Sequence, residues 1–197
     1  MAEVIANLLL NGLNPVTVGG TGTAIKYFPN VPGASIGVAS TKNGYLYCPG
    51  VGKANAQRLS VRASGNFTIG NLGGGSNASP AVTVGLYPVT FSGNTPAGTP
   101  TIGSAIVSQI FAAASDLIGY YPFALSADVQ GDNTSGIVQS LAGNIVIDGS
   151  AGSFSNNAIL SSVNMLAPVP FAFVVGVTFS VSDSLASANL YQFDLQQ

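Results

Sequence analysis

The chain has 197 residues, enough for one well-cored domain, and 47% of them are hydrophobic. Only 6% are charged, five Lys or Arg against seven Asp or Glu, where an average soluble domain carries roughly 25%. The five bases, confined to Lys26–Arg62, are too few for a nucleic-acid-binding stripe, and the absence of histidine excludes Ser–His–Asp and Cys–His catalysis.

Along the chain, Met1–Val18 carries apolar anchors at Val4, Ile5, Leu8, Leu9, Leu10 and Leu13, interrupted by Asn7, Asn11, Gly12, Asn14 and Pro15. We read it as an N-terminal arm that contacts a partner, since its apolar surface gains about 25 cal/mol per Å² on burial. The alternative is an edge strand or a short helix over Val4–Leu10 on its own subunit. Residues 19–197 read as a single domain. Short strands are expected at Ala24–Phe28, Ser35–Ala39 and Tyr45–Cys48, among turn signals such as Pro32-Gly33 and Pro49-Gly50.

Period-two alternation is strongest in Arg58–Ile69, where Leu59, Val61, Ala63, Phe67 and Ile69 are apolar and the even positions are polar. Val82–Tyr87 presents Val82, Val84 and Leu86 on one face. Further strands are expected at Ile102–Phe111, Tyr121–Val129, Ile137–Ile147 and Ala158–Val163, with a short helix over Ile106–Ser115 as an alternative. Phe171–Ser182 places Phe171, Phe173, Val175, Val177, Phe179 and Val181 on a core face, and Ala188–Leu195 closes the chain. The expected core includes Leu59, Val61, Phe67, Val82, Val84, Leu86, Phe173, Val175, Val177, Phe179 and Phe193. Eight to eleven short strands separated by turns fit an all-β fold, an antiparallel β-sandwich of jelly-roll type, with the N-terminal arm attached.

The residues offer little chemistry. Cys48, the only cysteine, lies in Tyr45-Leu46-Tyr47-Cys48 and reads as a buried strand thiol. Asp128 and Asp132-Asn133 have the look of a turn capped by side-chain oxygens. They could also offer ligands to calcium, but the sequence is not an Asp-rich twelve-residue loop, and the only glutamate is Glu3. Gly73-Gly74-Gly75 lacks the Lys–Ser/Thr pair of a phosphate cradle. No catalytic residue, cofactor or metal is expected. A sugar site is the small-ligand alternative, built on Tyr27, Tyr45, Tyr47, Tyr87, Tyr120, Tyr121 or Tyr191.

The start Met1-Ala2-Glu3-Val4 lacks the basic opening of a signal peptide. The longest apolar run, Met165–Phe179, contains Pro168, Pro170 and Gly176 and falls short of the ~20 residues of a spanning helix. The expectation is a protein made in the cytoplasm and not membrane-bound. Ser, Thr and Asn supply 50 residues, so its surface is polar without charge. Hydroxyls and amides cost less to desolvate than ions, which favours assembly with other subunits.

The low-charge, His-free, Gly/Ser/Thr/Asn-rich β texture resembles the capsid decoration (cement, or head auxiliary) proteins of tailed bacteriophages. So does the ending, in which the alternating Phe171–Val181 passes through a Ser-rich turn to Ala188–Leu195. The resemblance implies a late structural protein that binds the major capsid protein lattice from outside the head and stabilises it. It also implies a homo-oligomer, expected as a trimer, located on the virion. The alternatives are a sugar- or receptor-binding module of a phage head fibre or tail, and a jelly-roll coat protein.

Overall fold

In a computed structural model the alternating segments become strands of two antiparallel sheets, and the chain is an all-β sandwich of jelly-roll type. The structure describes residues 4–9, 16–19, 24–28, 46–48, 58–69, 81–91, 100–112, 119–131, 137–148, 150–154, 159–164, 171–180 and 186–196. The strands in chain order are β1 (Val4–Leu9), β2 (Val16–Gly19), β3 (Lys26–Tyr27), β4 (Leu46–Cys48), β5 (Arg58–Ile69), β6 (Ala81–Phe91) and β7 (Pro100–Ile102). They continue with β8 (Val107–Ala112), β9 (Gly119–Gly131), β10 (Ile137–Ile147), β11 (Ser150–Phe154), β12 (Ile159–Asn164), β13 (Phe171–Phe179) and β14 (Ser187–Gln196).

The eight-stranded sheet runs β1-β14-β5-β9-β10-β11, with β2 also on β14 and β12 also on β10. The six-stranded sheet runs β3-β13-β6-β7, with β4 also on β13 and β8 also on β6. Strands from the two ends of the chain pair with each other: β14 lies between β1 and β5, and β13 between β3 and β6. This nesting of N-terminal against C-terminal strands gives the jelly-roll connectivity.

Each edge position of both sheets is filled by two short strands in line rather than one long strand. β1 pairs with Gln192–Gln196 and β2 with Ser187–Leu190. β11 pairs with Gly143–Ile147 and β12 with Ile137–Gln139. Broken edges of this kind present no long template for pairing with another chain.

At β7 and β8 the break has a local cause. Pro88, inside β6, lacks an N–H for the neighbouring strand. β7 pairs with Val89–Phe91 and β8 with Ala81–Leu86, so the interruption faces Tyr87 and Pro88. Gly103 N–H still donates to the Pro88 carbonyl at 2.9 Å, and Ile106 N–H to the Leu86 carbonyl at 2.8 Å. The single strand expected at Ile102–Phe111 is therefore two. The helices allowed for over Val4–Leu10 and Ile106–Ser115 are strands where they are described.

The core lies between the sheets. Val61, Phe67, Phe123, Leu125, Ile145, Leu190 and Phe193 of the larger sheet meet Val82, Val84, Leu86, Phe173, Val175 and Val177 of the smaller one in one buried cluster. Phe67 stacks on Tyr121 at 5.3 Å between ring centroids, and Phe111 closes on both rings at 5.5 and 4.7 Å. Every member of the expected core with a described side chain is buried. Leu59 falls on β5, but its side chain lies outside the described residues.

Candidate functional site

The outer face of the larger sheet carries the polar side chains that alternate with the core. From β5 come Arg62, Ser64, Asn66 and Thr68, and the cross-strand register sets Ser126, Ala124, Pro122 and Tyr120 of β9 beside them. On the other flank β14 is out of simple register. Leu190 pairs with Gly65 and Gln192 with Ser64, leaving Tyr191 as the extra residue of a bulge.

Tyr191 shares this face with Ser187 and Asn189 by alternation, the bulge brings Gln192 onto it as well, and a polar cluster assembles there. The Asn66 amide donates to the Tyr191 hydroxyl and accepts from the Asn189 amide at 2.9 Å. The Tyr191 and Tyr120 hydroxyls stand 3.5 Å apart, at the limit of a hydrogen bond. One turn of the register further on, the Thr68 and Ser187 hydroxyls are bonded at 2.9 Å. Asn66 is fully buried, whereas Tyr120 is 61% exposed. The Tyr120 hydroxyl raises the Tyr191 pKa above its ordinary value, reinforced by partial burial, while the Asn66 contact works in the opposite direction.

Beside this cluster lies a groove of about 350 Å³ over β14, β5, β9 and β10. Its floor is made of small residues, Ser64, Ala124 and Ser126 with Val146, and its walls carry Arg62, Asn144 and Gln192. Gln192 donates to Asp194, which is only 4% exposed and stands opposite Arg62 in the register. Among the described residues, Asp194 Oδ1 is a buried acceptor with no hydrogen-bond partner.

The smaller sheet has a different outer face. Gly85 and Gly176 pair across β6 and β13, and the rings of Tyr27 and Tyr87 cover them, 5.4 Å apart and nearly perpendicular. A Cβ on Gly176 would meet both rings at 2.8–3.0 Å, so the glycine is what lets them lie flat on the sheet. Burial raises the pKa of both tyrosines, and for Tyr87 the neighbouring Tyr27 adds to it.

Of the tyrosines considered for a sugar site, Tyr120 and Tyr191 come together, Tyr27 and Tyr87 form a separate pair, and Tyr121 is in the core. Tyr45 and the side chain of Tyr47 lie outside the described residues, as does the Cys48 side chain. Asp128 stands on β9 opposite Ser60 and Ala142, and Asp132 lies outside the described residues. No group of three or more His, Cys, Asp or Glu side chains converges among the described residues.

Val4, Ile5, Leu8 and Leu9 fall on β1, paired to β14, with Ile5 at a register shift. Leu10 and Leu13 lie outside the described residues. The sequence reading missed Asn66, Asn189 and Asp194 as a group. Asn66 and Asn189 became neighbours only through the β5–β14 pairing, across more than half the chain.

No family model matches the chain, and no curated protein matches it. Among solved structures, it is similar to the basic winged bean lectin with Tn-antigen, at 9% identity and a TM-score of 0.37, covering 100% of this chain and 97% of that one. It is similar to the Lotus tetragonolobus seed lectin, at 10% identity and a TM-score of 0.34, covering 100% and 98%. Peanut lectin gives 12% identity and a TM-score of 0.33, covering 99% and 97%. Likeness at this level assigns no ligand to the present chain.

Proposed function

We propose that this chain is a non-enzymatic structural protein that docks onto other protein subunits, most concretely as a decoration protein on the outside of a phage capsid. The observation that supports this most is the make-up of the outer face of the larger sheet. Its Ser, Thr, Asn, Gln and Tyr side chains offer hydrogen bonds, and with Ala124 and Pro122 among them they make a broad platform that is cheap to desolvate. The only charges there from β5 and β14 whose side chains are described are Arg62 and Asp194, which face each other.

The mechanism is linkage. A subunit that binds only the assembled lattice stabilises that state by mass action, and bridging several capsid subunits adds avidity. The functional unit on this reading is a homotrimer burying roughly 800 Å² per partner or more.

The test is the composition of particles made by the genome that encodes the chain. Mass spectrometry should find it in fixed stoichiometry with the coat protein, and labelling of intact particles should reach it from outside. Absence from purified particles overturns the proposal. Sedimentation of the purified chain at tens of micromolar, and of the chain eluted from particles, tests the trimer.

A further inference from the structure

We propose that the groove on the outer face of the larger sheet is a binding site for a neutral oligosaccharide, with one sugar ring lying on Tyr120 and the hydroxyls of the following sugars held by Gln192 and Asn144.

Three observations converge on this ligand class. The groove of about 350 Å³ is of ligand-pocket size and has a floor of small side chains, so a chain molecule can lie close to the sheet. Tyr120, four residues along β9 from the groove-lining Ala124, is exposed, with its hydroxyl next to Tyr191. Tyr191 directly precedes the groove-lining Gln192, so the aromatic pair and the groove adjoin.

Charge and length narrow the class. Among the described residues, Arg62 is the one charged side chain that lines the groove, and the Asp194 carboxylate opposite it in the register offsets its charge. From Thr68, beside Tyr120, to Arg62 is six residues of extended strand, about 20 Å at 3.3 Å per residue. That reach suits several linked sugars rather than one. The aromatic face suits the C–H side of a pyranose, and the amides suit its hydroxyls.

The groove shares the sheet face that supports the docking proposal but does not rest on that reading, and its experiment needs no particle. The full-length chain is run in native gels containing soluble neutral polysaccharides (mixed-linkage β-glucan, arabinoxylan, galactomannan and dextran), and positives are titrated calorimetrically with the matching hexasaccharide. At least one polysaccharide should retard the chain. Tyr120→Ala should weaken binding about tenfold or more, and Asn144→Ala several-fold. Ile110→Ala, on β8 of the smaller sheet and 64% exposed, should leave binding unchanged. Both substituted tyrosine and asparagine positions are exposed, so the variants should fold, which near-UV spectra check. Failure of the folded chain to bind any of these polysaccharides overturns the proposal. So does binding that survives Tyr120→Ala and Asn144→Ala together, or binding lost equally in Ile110→Ala.

Discussion

The main-chain carbonyl of Asn189 occupies the space where a Cβ on Gly65 would stand, and the ring of Phe123 closes the same position from the other side at 2.7 Å. Gly65 pairs with Leu190 at the point where β14 bulges, so the strand of the larger sheet that builds the polar cluster is admitted by a missing side chain. Because the obstruction is backbone, it cannot be relieved by a rotamer change. Gly65→Ala should cost about 1–3 kcal/mol or more in urea unfolding, the range for overpacking a well-filled site. Gly85→Ala, whose added carbon meets the Val107 carbonyl at 3.0 Å and the tip of Tyr87 at 3.1 Å, should cost less. Equal costs would mean that the bulge does not depend on Gly65.

Asn66 and Tyr191 should act as one unit. Asn66→Ala removes a buried amide that serves Asn189 and Tyr191, and Tyr191→Phe strands the buried Asn66 donor. Each single change should cost about 1–3 kcal/mol, the penalty for an unpaired buried polar group. The double variant should cost less than the sum, with a coupling of about 0.5–3 kcal/mol. Strict additivity in chemical denaturation would show that the two side chains do not support each other.

Alternation made much of the fold legible. The strands expected at Arg58–Ile69 and Ile137–Ile147 have the bounds of β5 and β10, because a half-buried strand writes its two faces into successive residues. β11 was missed. Its cue is Asp148-Gly149, a two-residue hairpin signal, and Asp148 takes the left-handed φ of 47° that such a turn requires. The bulge also left a trace: apolar positions fall on Ala188 and Leu190 and then on Phe193 and Leu195, a change of parity within one strand. The site was less legible, since Tyr120, Asn66 and Tyr191 share a face only through pairings between distant segments. Ser35–Ala39 lies outside the described residues.

Stability should fall in alkali. Burial raises the pKa of Tyr87 and Tyr27, and the Tyr120 hydroxyl with partial burial raises that of Tyr191. In the unfolded chain all three ionise at the ordinary value of about 10. The folded state therefore holds these protons more tightly. Their contribution is complete below about pH 10 and is lost as pH rises through the folded-state values. The urea midpoint should decline above about pH 10, and tyrosinate absorbance of the folded chain should lag behind that of the denatured chain. Tyr87→Phe should make the decline shallower. A midpoint that is flat or rises in that range contradicts the assignment.

The segment 1–18 is where the structure and the docking proposal make different demands. β1 hydrogen-bonds to β14 from Val4–Gln196 to Leu9–Gln192, and β2 continues the same edge from Leu190 to Ser187. β14 is thereby an interior strand, with β5 on its other side. Deleting residues 2–14 removes β1 and leaves Gln192–Gln196 with an open edge. An open edge both forfeits its ladder bonds and invites pairing with another chain. The deleted chain should melt at least about 5 °C lower, equivalent to about 2 kcal/mol at this size, and should self-associate in sedimentation. Replacing residues 2–14 by the same strand supplied as a synthetic peptide should restore part of the melting temperature, because the open edge accepts an added strand. If the deletion melts like the full chain yet no longer joins particles or trimers, β1 serves a partner rather than its own sheet. If melting falls and the peptide restores it, β1 is the strand that closes this edge.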